Sequence, residues 1–355
     1  MESKNILLII IVVATACLGI ALTILAYIHA VNIPPPAESL TKDLNVYSEI
    51  IKASPIGCPN DMTVCDYYMA GSGYTLIPGK TAYTYVTAQS IAKVVKGGAR
   101  LIELHVYEVN RKPVVGLADI KSQKMLTYNT IPFEECCVAV ANSAFSSDVT
   151  PGYNNPFVLS LVFHTADTTI LTECSEIMKT TLRKFMLDSS YSYQRKNLAT
   201  EPICNLMGKL IIVSGENIKG NGMDELVNMS WASSNLRRMT YTQAAQTYDH
   251  DELIEFNKRN LTLVVPDLDT TTLKNGNPEI LFAYGCQWVA MSYGSLDNAM
   301  EVYTGKFLDG SFAVKPDVLR YSPVTYKKPK PQDPAVSFQP KRMVSPMYDY
   351  TIKSA

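Results

Sequence analysis

The 355-residue sequence carries almost no net charge: 32 Lys and Arg against 33 Asp and Glu leave −1 at neutral pH. Its charges are dispersed, which excludes the basic footprint of a nucleic-acid partner. From one segment charge is missing altogether, since Ile6–Ile28 runs for 23 residues without a charged side chain. As a helix it would reach about 35 Å at 1.5 Å per residue, enough for a hydrocarbon core about 30 Å thick. The apolar core of a cleaved signal is usually only about 7–15 residues long. Residues 1–30 therefore read as an uncleaved transmembrane anchor, with cleavage after Ala30 as the other reading. Lys4 and the amino terminus precede the span, while Glu38, Lys42 and Asp43 follow it. The positive-inside rule then places the short end in the cytoplasm. The expectation is a single-pass membrane protein with the bulk of its chain lumenal or extracellular.

Seven cysteines lie outside that span, at 58, 65, 136, 137, 174, 204 and 286. An odd number leaves one unpaired within a single chain. Cys58 and Cys65 flank the loop-like "PNDMTV" and form the expected disulfide; the alternative is that all seven are reduced core residues. Asn228-Met-Ser and Asn260-Leu-Thr are sequons, hence candidate glycosylation sites in such a compartment. Residues 31–56, with "NIPPPAESL", read as a linker. Beyond Arg320 the pattern loses periodicity, and 323–355 reads as a proline-rich, basic, solvated tail with a minimal P-x-x-P at Pro331 and Pro334.

Between these ends, short apolar runs alternate with amphipathic ones. "ARLIELHVY", "KPVVGL", "PFVLSLVFH", "GKLIIVSG", "NLTLVV" and "CQWVAMSY" read as strands. "TAQSIAKVVKGG", "FEECCVAVANSAF", "CSEIMKTTLRKFML" and "HDELIEFNKRN" read as helices. That alternation implies a parallel sheet with helices outside it. So many repeats in roughly 255 residues favour an α/β fold of the (β/α)8 barrel type over an open sheet. Within it, "GGARLIELHVYE" places Glu103 and His105 two residues apart, on one face of a strand that is otherwise apolar.

The order of motifs resembles the X and Y barrel halves of the phosphoinositide-specific phospholipase C family. "YYMAGSGYTLIPG" follows Y-F-I-x-S-S-H-N-T-Y-L-x-G, and "GARLIELHVYE" follows G-x-R-x-x-E-L-D-x-W-D. "PVVGLADI" follows P-V-V-x-H-G-x-T, and "PFVLSLVFH" follows P-V-I-L-S-L-E-N-H. "NPEILFAYGCQWVAMSY" and "GSFAVKPDVLR" resemble Y-half motifs. The resemblance implies a barrel over residues 57–322, with an X half at about 65–216 and a Y half at about 236–320.

The same resemblance implies a dismantled site. In the family two histidines act as acid and base, and Asn, Glu, Asp and Glu hold calcium. Here the histidine positions are Gly73 and Leu117. The metal positions are Tyr74, Glu103, His105 and Val162, so only Glu103 keeps its carboxylate. The arginine and tyrosine that grip inositol correspond to Leu263 and Val265, Thr240 corresponds to a pocket serine, and "VSGE" offers none of the phosphate-binding lysines. Metal-independent bacterial members use an arginine in place of calcium together with two histidines, and this sequence offers neither feature. Calcium needs six to eight oxygen ligands, so no cofactor is expected.

The reading is a membrane-anchored pseudoenzyme, acting as scaffold or recognition module toward a protein partner or phospholipid; a structural part of a membrane or virion is one version of it. The alternative is a divergent phosphoric diester hydrolase. Glu103, His105, Asp119 and His164 would share the barrel mouth, as a polar remnant or as a repurposed zinc set.

Overall fold

The computed structural model describes residues 2–31, 54–57, 59, 62–119, 121–269, 272–322 and 340–352. They form two compact units, residues 1–321 and 322–355.

In the first unit, helix α1 spans Glu2–Val31. Among the described residues no helix is long and apolar enough to cross a membrane. The alternating region contains strands β1 (Tyr67–Ser72), β2 (Leu101–Val109), β3 (Lys112–Val115), β4 (Ile131–Pro132), β5 (Phe157–Phe163) and β6 (Leu210–Ser214). It continues with β7 (Met229–Ser230), β8 (Leu236–Thr240), β9 (Leu261–Val265), β10 (Trp288–Met291) and β11 (Phe312–Val314). Eight of them follow the order β7-β6-β5-β2-β1-β10-β9-β8 with every pairing parallel. This is a nearly closed barrel whose remaining gap lies between β7 and β8. Helices α2 (Gln89–Lys96), α3 (Phe133–Ala144) and α4 (Thr168–Thr181) pack outside its first half.

"KPVVGL" does form a strand, but β3 pairs antiparallel with β2 and carries β4 on its other edge. Asn110 and Arg111, both at positive φ, turn the chain straight back, so no crossover helix intervenes and β3 lies off the barrel path.

Alternation along the strands separates two cores. Ile102, Leu104 and Val106 point out to the helices. Leu101, Val158, Ile211, Leu261, Leu263, Val265 and Trp288 fill the interior. Interior packing of this kind makes such a barrel a solid core rather than a pore. Leu263 and Val265 are thus wall-filling core residues, at most 1 % exposed, rather than the lining of a substrate pocket.

The second unit, within the stretch read as a solvated tail, contains a solvent-exposed hairpin. Strands β12 (Lys341–Ser345) and β13 (Tyr348–Ile352) pair as an antiparallel hairpin, with an Arg342–Asp349 ion pair across it.

The expected Cys58–Cys65 disulfide is overturned. Cys65 is a free, buried thiol whose Sγ donates to the Lys258 carbonyl, so it does not pair with Cys58, which lies outside the described residues. Among the described residues the disulfide-bonded cysteine is Cys204. Asn228 is buried immediately before β7, where its Oδ1 accepts from the Ile212 amide and its Nδ2 donates to the Tyr191 carbonyl. A glycan there would break both bonds. Asn260 is half-buried and accepts from Asn197 through Oδ1.

Candidate functional site

Glu103 and His105 face the barrel interior from β2, where the register sets them beside Ser160 and Val162 of β5. A carboxylate buried this deeply requires a counter-charge. Arg238, inward on β8 between Leu236 and Thr240, provides it as a fork: Nε donates to Oε2 at 2.9 Å and a terminal nitrogen to Oε1 at 2.7 Å. Ser160 Oγ donates to Oε2 at 3.1 Å, and His105 Nε2 lies 3.1 Å from Oε1. Burial by itself pushes the Glu103 carboxyl up. The charge and hydrogen bonds of Arg238, helped by His105, outweigh it and hold the group far below the usual carboxylate range.

The chain of contacts continues outward. His105 Nδ1 lies 2.9 Å from His164 Nε2. Tyr74 stacks on His105, and Tyr107 stacks on His164 with ring centroids 4.3 Å apart. Tyr74 itself sits at a φ of 51°, in the left-handed region uncommon for a residue with a side chain. His164 is exposed to solvent on one side, while its ring face lies in this stack. Desolvation, then the neighbouring His105 and Arg238, pull its pKa down from 6.5 to about 4, against a smaller upward pull from Glu103.

Glu103, His105 and His164 are therefore brought together as expected, whereas Asp119 is not. Its carboxylate accepts from the amides of Lys121 and Ser122 in its own loop. Among the described residues no group of three or more His, Cys, Asp or Glu is arranged to hold a metal ion, so the zinc set is not assembled. Calcium does not fit either, because both Glu103 oxygens are occupied by protein donors and the companion positions are Tyr74, His105 and Val162.

The two positions that the resemblance aligns with the family's histidines, Gly73 and Leu117, are closely packed. A Cβ on Gly73 would stand 2.6 Å from Cδ of Pro266, and Leu117 is buried. Thr240 spends its hydroxyl capping the helix Tyr241–Ala245, accepting from the Gln243 amide. Tyr241 lies so close over Gly276 that a Cβ there would stand 2.2 Å from its ring. Two cavities at this end, one against Glu103 and His105 and one beneath Tyr241, measure about 10 Å3 each. That is the space of about one water, not of a sugar ring.

Sequence reasoning missed Arg238. The signal that could have found it is the period-2 pattern of "LRRMT", which puts Leu236, Arg238 and Thr240 on one face, combined with the demand of a buried Glu103 for a cation. Arg238 thus occupies both oxygens of the carboxylate that the resemblance aligns with a metal ligand.

The linkage sign for His164 follows from its depressed pKa. An unfolded imidazole takes a proton below about 6.5, whereas the folded one stays neutral down to about 4. Stability from this group is fully present above 6.5 and is lost as pH falls toward 4. Glu103 contributes the same sign in a lower window, from the ordinary carboxylate range downward. Urea unfolding at pH 7.0, 5.5 and 4.5 should show wild type losing stability more steeply than His164→Asn. Parallel pH profiles would remove this assignment.

A parallel barrel of this topology, with a buried carboxylate on its second strand, defines a phospholipase C-like phosphodiesterase fold. Residues 61–215 match the X domain and residues 209–318 the Y domain of phosphatidylinositol-specific phospholipase C. The chain belongs to that family. It is similar over 72 residues, at 35% identity, to 1-phosphatidylinositol 4,5-bisphosphate phosphodiesterase beta-4 of Bos taurus and of Homo sapiens. That stretch is 19% of this chain but only 7% and 6% of those proteins. Among solved structures, PLC21 of S. officinalis matches with a TM-score of 0.62 at 18% identity, over 75% of this chain and 39% of that one. PLC21 of L. pealei matches with a TM-score of 0.63 at 16% identity, over 76% and 39%. At such identities the likeness is one of fold, and the chain spans about two fifths of those solved relatives.

Proposed function

We propose that this chain is a membrane-anchored phospholipase C-like barrel that has given up catalysis and acts as a scaffold or recognition module. The observation that carries the reading is the saturated Glu103 carboxylate. With Arg238 on both oxygens, the residue that elsewhere helps hold a metal instead holds the barrel shut. Gly73 and Leu117 remove the acid and base, and Pro266 and Tyr241 take the room a substrate headgroup would need. In this reading α1 is the anchor and the barrel lies on the non-cytoplasmic side, facing a protein partner or phospholipid. A structural role in a membrane or virion fits the same arrangement.

One observation favours a second reading, a divergent phosphoric diester hydrolase. Glu103, His105 and His164 form a hydrogen-bonded chain ending at solvent, and a neutral His164 could accept a proton there. One assay separates the two. The full chain, purified in neutral detergent from alkali-washed membranes, is incubated with phosphatidylinositol and with glycerophosphodiesters, with and without calcium. The scaffold reading expects membrane retention and no product. Product that disappears in His164→Asn would establish the hydrolase instead.

A further inference from the structure

A much larger cavity, about 840 Å3, lies on the flank of the barrel between the C-terminal end of α4, the turns that follow it and the entry to β6. It shares no residue with the mouth. Its size falls in the range of about 300–1,000 Å3 usual for small-molecule sites.

Its lining is charged and unequal: Lys179, Arg183, Lys184 and Lys209 against Asp188 and Glu225. Lys179 is held by Glu176 and Glu225. Asp188 accepts from the Ser190 amide. Arg183, Lys184 and Lys209 have no ion-pair partner among the described residues. Lys184 lies over the Phe185 ring, 4.6 Å from its centroid.

The bland account of lysines at this place is that they complement the C-terminal end of α4. That account covers Lys179 and does not reach Lys209, which comes from the start of β6. Two separate segments thus deliver cations to one concavity, and a concave low-dielectric wall focuses their potential. The other wall is apolar, with Met186, Leu187 and Leu226 half-buried along it.

We propose that this cavity binds a phosphate-bearing ligand, its phosphate between Arg183 and Lys209 and its organic portion against Met186, Leu187 and Leu226. A guanidinium fork matches two phosphate oxygens at once, while Lys209 adds a point charge from the opposite segment. The phosphate belongs either to a soluble ester or to a phospholipid headgroup, and the two sources are distinguished by experiment.

The full chain in neutral detergent is titrated calorimetrically with glycerol 3-phosphate and, separately, with dihexanoyl phosphatidic acid. Binding should weaken at least tenfold in the double variant R183Q/K209Q and remain unchanged in K124Q, whose exposed lysine lies away from the cavity. Binding of the lipid alone assigns a headgroup; equal binding of both assigns the phosphate ester. Because the double variant could lose structure, wild type is also acetylated in the presence of each probe. The ligand that binds should slow modification of Lys184 and Lys209 relative to Lys124. No heat with either probe, an equal loss in K124Q, or unprotected lysines would overturn the proposal.

Discussion

Replacing Arg238 by alanine is expected to destabilise the barrel by about 3–5 kcal/mol, the usual result of stranding one partner of a buried ion pair. Glu103 is fully buried, and among the described residues Arg238 and the His105 ring are its partners within ion-pair distance. Ser160 and His105 alone would be left to satisfy an uncompensated carboxylate. The cost belongs to the stranded charge rather than to the pair, which leads to a second measurement. In Glu103→Gln/Arg238→Met the charge is gone from both sides. Replacing a buried pair by groups of similar volume is often neutral, so the double variant should regain most of what Arg238→Ala loses. Chemical denaturation of the three proteins at pH 7 measures both effects. An Arg238→Ala protein within about 0.5 kcal/mol of wild type, the range of an ordinary surface change, would show that the carboxylate finds water or another donor. The proposed closure of the mouth would then fall.

Restoring the two histidines should not restore phosphodiester cleavage. Each general acid or base contributes about 10²–10⁴-fold, so the family chemistry cannot proceed at a useful rate with glycine and leucine in those places. Simple replacement also meets a steric obstacle. With the Gly73 Cβ direction blocked at 2.6 Å by Pro266, an imidazole there must displace the ring or the strand. Overpacking of this sort costs about 1–3 kcal/mol. Gly73→His/Leu117→His should therefore melt lower than wild type and release no inositol phosphate from phosphatidylinositol micelles, with or without calcium. Calcium-dependent release by the double variant would mean that only the acid–base pair is missing and that Arg238 yields to the metal. Release by wild type would contradict the scaffold reading directly.

The sequence determined much of the architecture because its signals are local. Alternation of apolar runs with amphipathic ones located β2, β5, β6, β9 and β10 and the helices between them, and the succession of motifs identified the barrel. That Gly73 and Leu117 bring no side chain able to carry a proton is likewise read from residue identity alone. Long-range features behaved differently. Whether "KPVVGL" joins the barrel depended on a reversal at Asn110 and Arg111. The burial of Asn228 and the free thiol of Cys65 both depended on neighbours distant in the chain. Most of all, Glu103 and Arg238 stand 135 positions apart, and nothing local in either segment refers to the other. Only closure of the barrel, which sets β2 and β8 across one interior, makes the carboxylate and the guanidinium partners in a buried ion pair.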